Sequence, residues 1–183
     1  MRIFRALVVS TAAAALVGSM AVSAVADPSE HSSPNRQLVQ AYQATGKYHN
    51  LAIAKKDGYG EFADLNGITC IAMPGMGAMG IHYVNGGYVG DPTLNVRHPE
   101  ALVYRPGSDG RLHLAALEYI VVKSAWDANH ARPPSLFGQK FNFTDSPNRY
   151  GLPPFYSLHV WLWQYNPAGL FQMWNPRVHC PST

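Results

Sequence analysis

The chain has 183 residues, 47% of them hydrophobic and 11% aromatic, and sets 14 Lys and Arg against 11 Asp and Glu for a net charge of +3. That length suits one domain with a single core, and a small positive balance with no Lys/Arg cluster argues against a nucleic-acid partner or an anionic membrane surface. Beyond the first residues, no apolar stretch is long enough to span a bilayer.

Met1-Arg2-Ile3-Phe4-Arg5 opens the chain, an apolar and small-residue run covers 6–22, and Ala24-Val25-Ala26 precedes Asp27. This is the basic, hydrophobic, A-x-A order of a cleavable secretory signal over 1–26. Ser10, Thr11, Gly18 and Ser19 interrupt the run and speak against a membrane anchor. Cleavage after Ala26 predicts a secreted or cell-envelope protein. It would leave 157 of the 183 residues and, with Arg2 and Arg5 gone, 12 of the 14 basic residues. In an oxidising compartment Cys70 and Cys180 are expected to form a disulfide. No C-x-x-C pair is present, and Cys180 lies near the chain end, which favours a staple over a ligand or nucleophile.

Residues 27–34, polar with two prolines, read as a flexible start. From 35 onward Leu38, Val39, Ala41, Tyr42 and Thr45 recur at helical spacing, with Gly46 as a stop. A second helix is predicted over 48–56, with Leu51, Ala52 and Ile53 available for burial. Strand grammar follows: 68–73 between Asn66-Gly67 and Pro74-Gly75, then 80–85 ended by Gly86-Gly87. The runs 101–105 and 111–122 flank Pro106-Gly107-Ser108-Asp109-Gly110 and predict a hairpin. After Lys123 roughly thirty residues read as loop, long enough to predict a functional segment such as a lid. The last strand is predicted over 156–165. Together 35–183 read as a single α+β domain, short N-terminal helices followed by an antiparallel sheet that a partial barrel closure would also fit.

Alternation along 111–122 puts Leu112, Leu114, Ala116, Glu118, Ile120 and Val122 on one face, so one carboxylate stands among apolar neighbours. An ionised Glu there is costly unless paired, hydrogen-bonded or bound to metal. His159 shares a face with Ser157, Trp161 and Trp163, and His82 sits between Ile81 and Tyr83 in a similar apolar setting. If the three strands neighbour one another, His82, Glu118 and His159 meet as a two-His, one-Glu set. Zn, Cu, Fe or Mn would suit such a set, with positions left for water or substrate. Ligand atoms around one ion would approach one another within about 4 Å. The alternative is a metal-free module for ligand binding or envelope interaction, in which the same residues form a buried hydrogen-bond network. A metal carrier and a metal-dependent enzyme would use the same ligands, so the catalytic question stays open.

His98, before Pro99-Glu100, is a further candidate ligand. Tyr83 and Tyr119 should face away from the site and pack. Met73, Met76 and Met79 invite comparison with a copper-binding thioether ladder, although Met is also an ordinary gap-filler. Ser157 lies on the side of His159 but lacks a nucleophile elbow. Tyr156, Trp161 and Trp163 are candidates to line an apolar pocket for a small-molecule ligand.

Met79-Gly80-Ile81-His82-Tyr83-Val84-Asn85, Pro99-Glu100-Ala101-Leu102-Val103-Tyr104, Leu117-Glu118-Tyr119 and Leu158-His159-Val160-Trp161-Leu162-Trp163, with Asn166-Pro167-Ala168-Gly169-Leu170-Phe171 and Trp174-Asn175-Pro176, resemble a family of exported bacterial proteins, often actinobacterial, of uncharacterised function. The resemblance spans about 48–180. It implies export and a single domain, and supplies no activity or cofactor.

Overall fold

The computed structural model describes residues 33–181; the predicted signal segment and all but the end of the predicted flexible start lie outside them. Pro34 opens the first helix, α1 (Pro34–Thr45), because proline's fixed φ and missing N–H suit a first helical position. The buried side of α1 is Gln37, Ala41 and Thr45, one residue per turn. Val39 and Tyr42, expected on that side, are about half exposed. α1 ends at Thr45 with Gly46 as its C-cap, as expected; the φ of Gly46 is −55°, still helical, and a 3-10 turn, Gly46–His49, follows. α2 (Leu51–Lys56) starts at Asn50, whose side chain accepts a bond from the Ala52 amide at 3.0 Å.

The strands are β1 (Gly60–Glu61), β2 (Cys70–Met73), β3 (Gly77–Val84), β4 (Ala101–Pro106), β5 (Leu112–Val122), β6 (Ser135–Leu136), β7 (Gln139–Lys140), β8 (Asn142–Thr144) and β9 (Phe155–Val160). Two short helices, α3 (Gly86–Val89) and α4 (Lys123–Asp127), interrupt them. Seven strands form one antiparallel sheet in the order β1-β3-β4-β5-β9-β8, with β2 also paired to β3. The expected α+β architecture is thus present as an open sheet, without barrel closure.

One face carries the main core. Ile81, Tyr83, Leu102, Tyr104, Leu117, Tyr119, Leu158 and Val160 project there against Ala41, Tyr48 and Ala54 of the helical start. Buried tyrosines settle their hydroxyls on carbonyls: Tyr104 donates to Tyr48 O at 2.7 Å and Tyr119 to Val96 O at 2.7 Å. The first part of the segment expected to form a lid contributes Trp126, Leu136, Phe137 and Phe141 to this core. The segment's middle is a small hairpin, β6 with β7, and its β8 extends the main sheet beside β9. The final strand ends at Val160, short of the predicted 165, because the Trp163 and Gln164 amides turn back to the Ala115 carbonyl at 3.1 Å.

The second face holds two small apolar clusters. Ala78, Val103, Ala115, Ala116, Trp161 and Val178 form one, and Ala101, Ile120 and Phe155 form the other. A bulge in the β4–β5 ladder, where Val103 faces Ala116 and Tyr104 faces Leu114, changes the alternation. Leu112 and Leu114 therefore join the main core and do not share the face of Glu118, as unbroken alternation would require.

The tail from Asn175 closes this second face. Asn175 exchanges two backbone hydrogen bonds with Ala78 at 3.1 and 3.2 Å, and Cys180 is bonded to Cys70, as expected for an oxidised chain. Gly80 permits the close approach of β3 to β4, with φ +110° and a Cβ position only 2.5 Å from Tyr104 O. Gly80→Ala is expected to cost about 3 kcal/mol, from the left-handed backbone and the clash together. A urea midpoint unchanged from wild type would show that the strand relaxes without cost.

Candidate metal centre

β4 lies between β3 and β5, so His82 and Glu118 stand on strands roughly 9–10 Å apart. They meet because the intervening residues are short. His82 is in register with Val103, Glu118 with Ala101, and the two longer side chains reach across those residues toward each other. His159 is the direct cross-strand partner of Glu118 on β9. The three residues expected to converge do so, all of them buried.

His82 Nε2 lies 3.4 Å from Glu118 Oε2 and 3.4 Å from His159 Nε2, and His159 Nδ1 lies 3.5 Å from Glu118 Oε1. One ligand atom from each residue falls within 4.8 Å of the others. These separations exceed the 2.7–3.2 Å range typical of N–H···O bonds. The two that share His82 Nε2, to Glu118 Oε2 and to His159 Nε2, are close to the spacing of about 3.3 Å between ligands held tetrahedrally at 2.0–2.1 Å from one ion; the contact of His159 with Glu118 runs through the other ring nitrogen and the other carboxylate oxygen. His159 Nδ1 is buried with no hydrogen-bond partner.

Burial holds the His82 imidazole down to about 4, against a smaller upward pull from Glu118, and burial alone brings His159 to about 4. Both rings are therefore neutral at pH 7, with lone pairs free for coordination. Burial pushes Glu118 above the usual carboxylate range, opposed by His82 and by a hydrogen bond from Ser157. A dication among the three reverses that balance, since it favours the carboxylate and the neutral imidazole together. Ser157 thus supports a prospective ligand, consistent with its place on the side of His159.

Two cavities meet at the cluster. One, of about 410 Å³, reaches His82 and Glu118; the other, of about 340 Å³, reaches Glu118 and His159. Tyr150 and Phe155 wall both, with ring centroids 6.0 Å apart. Arg149 anchors the Tyr150 segment by giving Nε and Nη2 bonds to Asp64 Oδ2 at 3.0 and 2.5 Å.

Other candidates lie elsewhere. His98 stacks on Tyr88 at 5.4 Å, beside a cleft shared with Asp91 and Glu100, and is outside the three-residue cluster. Tyr156 faces the main core and donates to Asp127, since alternation places it opposite Ser157 and His159. Trp161 is buried in a small cluster of the second face, and Trp163 packs on Tyr42 and His49 after the chain has turned. None of these three aromatic residues lines either cavity at the cluster. The methionines form no ladder: Met73 and Met76 are largely exposed, whereas Met79 is buried and, with Met73 and Met173, lines the His159 cavity.

Sequence reading passed over Glu100. It shares alternation with Leu102 and Tyr104, a signal that would have marked it as buried. Its Oε2 accepts the Ile120 amide at 2.9 Å, and burial raises its carboxyl well above the ordinary range, a rise the Ile120 amide opposes. A folded-state value above the unfolded one means that Glu100 favours folding fully below about pH 4.5 and loses that contribution as pH rises. Glu100→Gln keeps an acceptor and removes the ionisation. It should gain stability relative to wild type as pH climbs from 4.5 to 8, measured by urea unfolding at both ends. A pH-independent difference would exclude this account.

Comparison with protein-family models, with curated proteins and with solved structures returns no match. No helix among the described residues is long and apolar enough to cross a membrane.

Proposed function

We propose that this is an exported, disulfide-stapled protein that binds a divalent transition metal through His82, Glu118 and His159, and that it belongs with the exported bacterial family its motifs resemble. The observation that carries the metal reading is the spacing of the three buried ligand groups. His82 Nε2 stands 3.4 Å from both Glu118 Oε2 and His159 Nε2, long for hydrogen bonds and close to the separation of two ligands on one tetrahedral ion, and one ligand atom from each residue lies within 4.8 Å of the others. Three protein ligands with cavities on two sides leave coordination positions for water or a small molecule, the arrangement of a catalytic site more than of a closed structural one. In that role the ion would polarise a bound oxygen, with Ser157 beside Glu118 favouring its charged form.

Protein prepared without a polyhistidine tag is expected to carry or take up one equivalent of Zn, Fe, Mn or Cu by elemental analysis. The His82→Ala and His159→Ala variants should take up none. Wild-type protein that neither contains nor binds a stoichiometric metal would leave the metal-free ligand or interaction module as the reading.

A further inference from the structure

The 410 Å³ chamber has a composition that selects its occupant. Phe62, Val84, Val89, Ile120, Leu152 and Phe155 make its walls, His82 and Glu118 form its polar end, and Glu61 stands in its lining with one oxygen accepting from Tyr83 at 3.2 Å. No Lys or Arg lines it. Its volume lies at the small end of the range of roughly 300–1,000 Å³ for ligand sites. The cavity on the other side of Glu118 differs in holding a cation, since Arg149 joins Met79, Met173 and Trp174 in its lining.

We propose that the chamber binds a small, uncharged, mainly apolar organic molecule whose single oxygen or nitrogen donor points to the His82–Glu118 end. The donor contact rests on the metal reading; occupancy of the chamber does not. Apolar walls supply affinity through buried surface. Two carboxylates and no cationic side chain weigh against an anionic group lying away from the His82–Glu118 end, where its charge would lose water without gaining a partner. Metal coordination then fixes one end, and the ring or chain lies along Ile120 and Phe155, both almost fully buried.

Cobalt-loaded full-length protein provides the test, because a ligand entering an open cobalt position changes its visible spectrum. We expect 1-phenylimidazole to bind at least about tenfold tighter than imidazole, from burial of the phenyl ring. The anionic analogue 4-(imidazol-1-yl)benzoate should lose that advantage. Gly86 and Gly60 both line the chamber, and a Cβ at either meets open space, so Gly86→Phe and Gly60→Leu fill it without a backbone clash. Either variant should reduce the phenylimidazole-to-imidazole affinity ratio toward one. Equal binding of the two neutral probes to wild type, or a ratio that survives both fillings, overturns the proposal.

If wild type gives no cobalt spectrum, the metal reading fails by itself. The chamber is then read on the metal-free chain by NMR with toluene: shifts of the Ile120 and Val89 methyl signals support it, and their absence overturns it.

Discussion

Zinc or cobalt added to metal-free protein at a thousand times its dissociation constant is expected to raise the melting temperature by roughly 8–16 °C. The linkage is worth about 4 kcal/mol, at 2–4 °C per kcal/mol for a chain near this size. The source of that stabilisation is local. Without an ion, two neutral imidazoles and a carboxyl share a buried space at 3.4–3.5 Å, and His159 Nδ1 has no partner. An ion replaces three poor contacts by coordinate bonds, and it binds the folded arrangement because only folding brings β3, β5 and β9 together. His82→Ala and His159→Ala should each reduce the rise to within about two degrees of zero, each variant measured against its own metal-free baseline. An equal rise in wild type and in a variant carrying both substitutions would place the stabilising ion elsewhere, for example on half-buried His113 or near His130.

Loss of the Cys70–Cys180 bond is the second large effect. The residues are 110 positions apart, and in the loop-entropy account a closure of that length contributes about 5 kcal/mol. Cys70→Ser with Cys180→Ser is expected to lower the melting temperature by roughly 10–20 °C. The consequence extends to the site. The disulfide holds the tail against β2 and β3, where Asn175 bonds Ala78, Val178 fills an apolar cluster, and Met173 and Trp174 wall the cavity beside His159. The serine variant should therefore also surrender metal to a chelator faster than the oxidised protein, at a temperature where both remain folded by circular dichroism. Identical chelation rates would confine the bond's role to stability.

These two effects reflect different kinds of legibility. The disulfide was readable because a chain with a signal-like start and two distant cysteines has one pairing available. The candidate ligands were readable singly, since His82, Glu118 and His159 each stand in an apolar run where an unpartnered polar group is costly. Alternation also placed Tyr83 and Tyr119 correctly on the far face. It failed where the backbone departs from period two. The bulge after Val103 moved Leu112 and Leu114 to the main core, and the turn after Val160 carried Trp163 to the helical side. A local repeat rule has no access to either event, because both are made by hydrogen bonds between distant segments.

By itself, then, the chain determined its class: a short helical start, β-rich continuation with Gly and Pro turns, one available disulfide, and three polar residues needing partners. Local propensity and the cost of burying charge suffice for that much. Only the tertiary structure decided that the three are one another's partners, because convergence depends on β4 lying between β3 and β5 with Ala101 and Val103 short enough to reach across. It also decided which side chains surround them. Ile120, Tyr150, Leu152 and Phe155 come from separate segments, and strand order and the fixed Tyr150 loop, set by long-range pairing, make them the walls around His82 and Glu118.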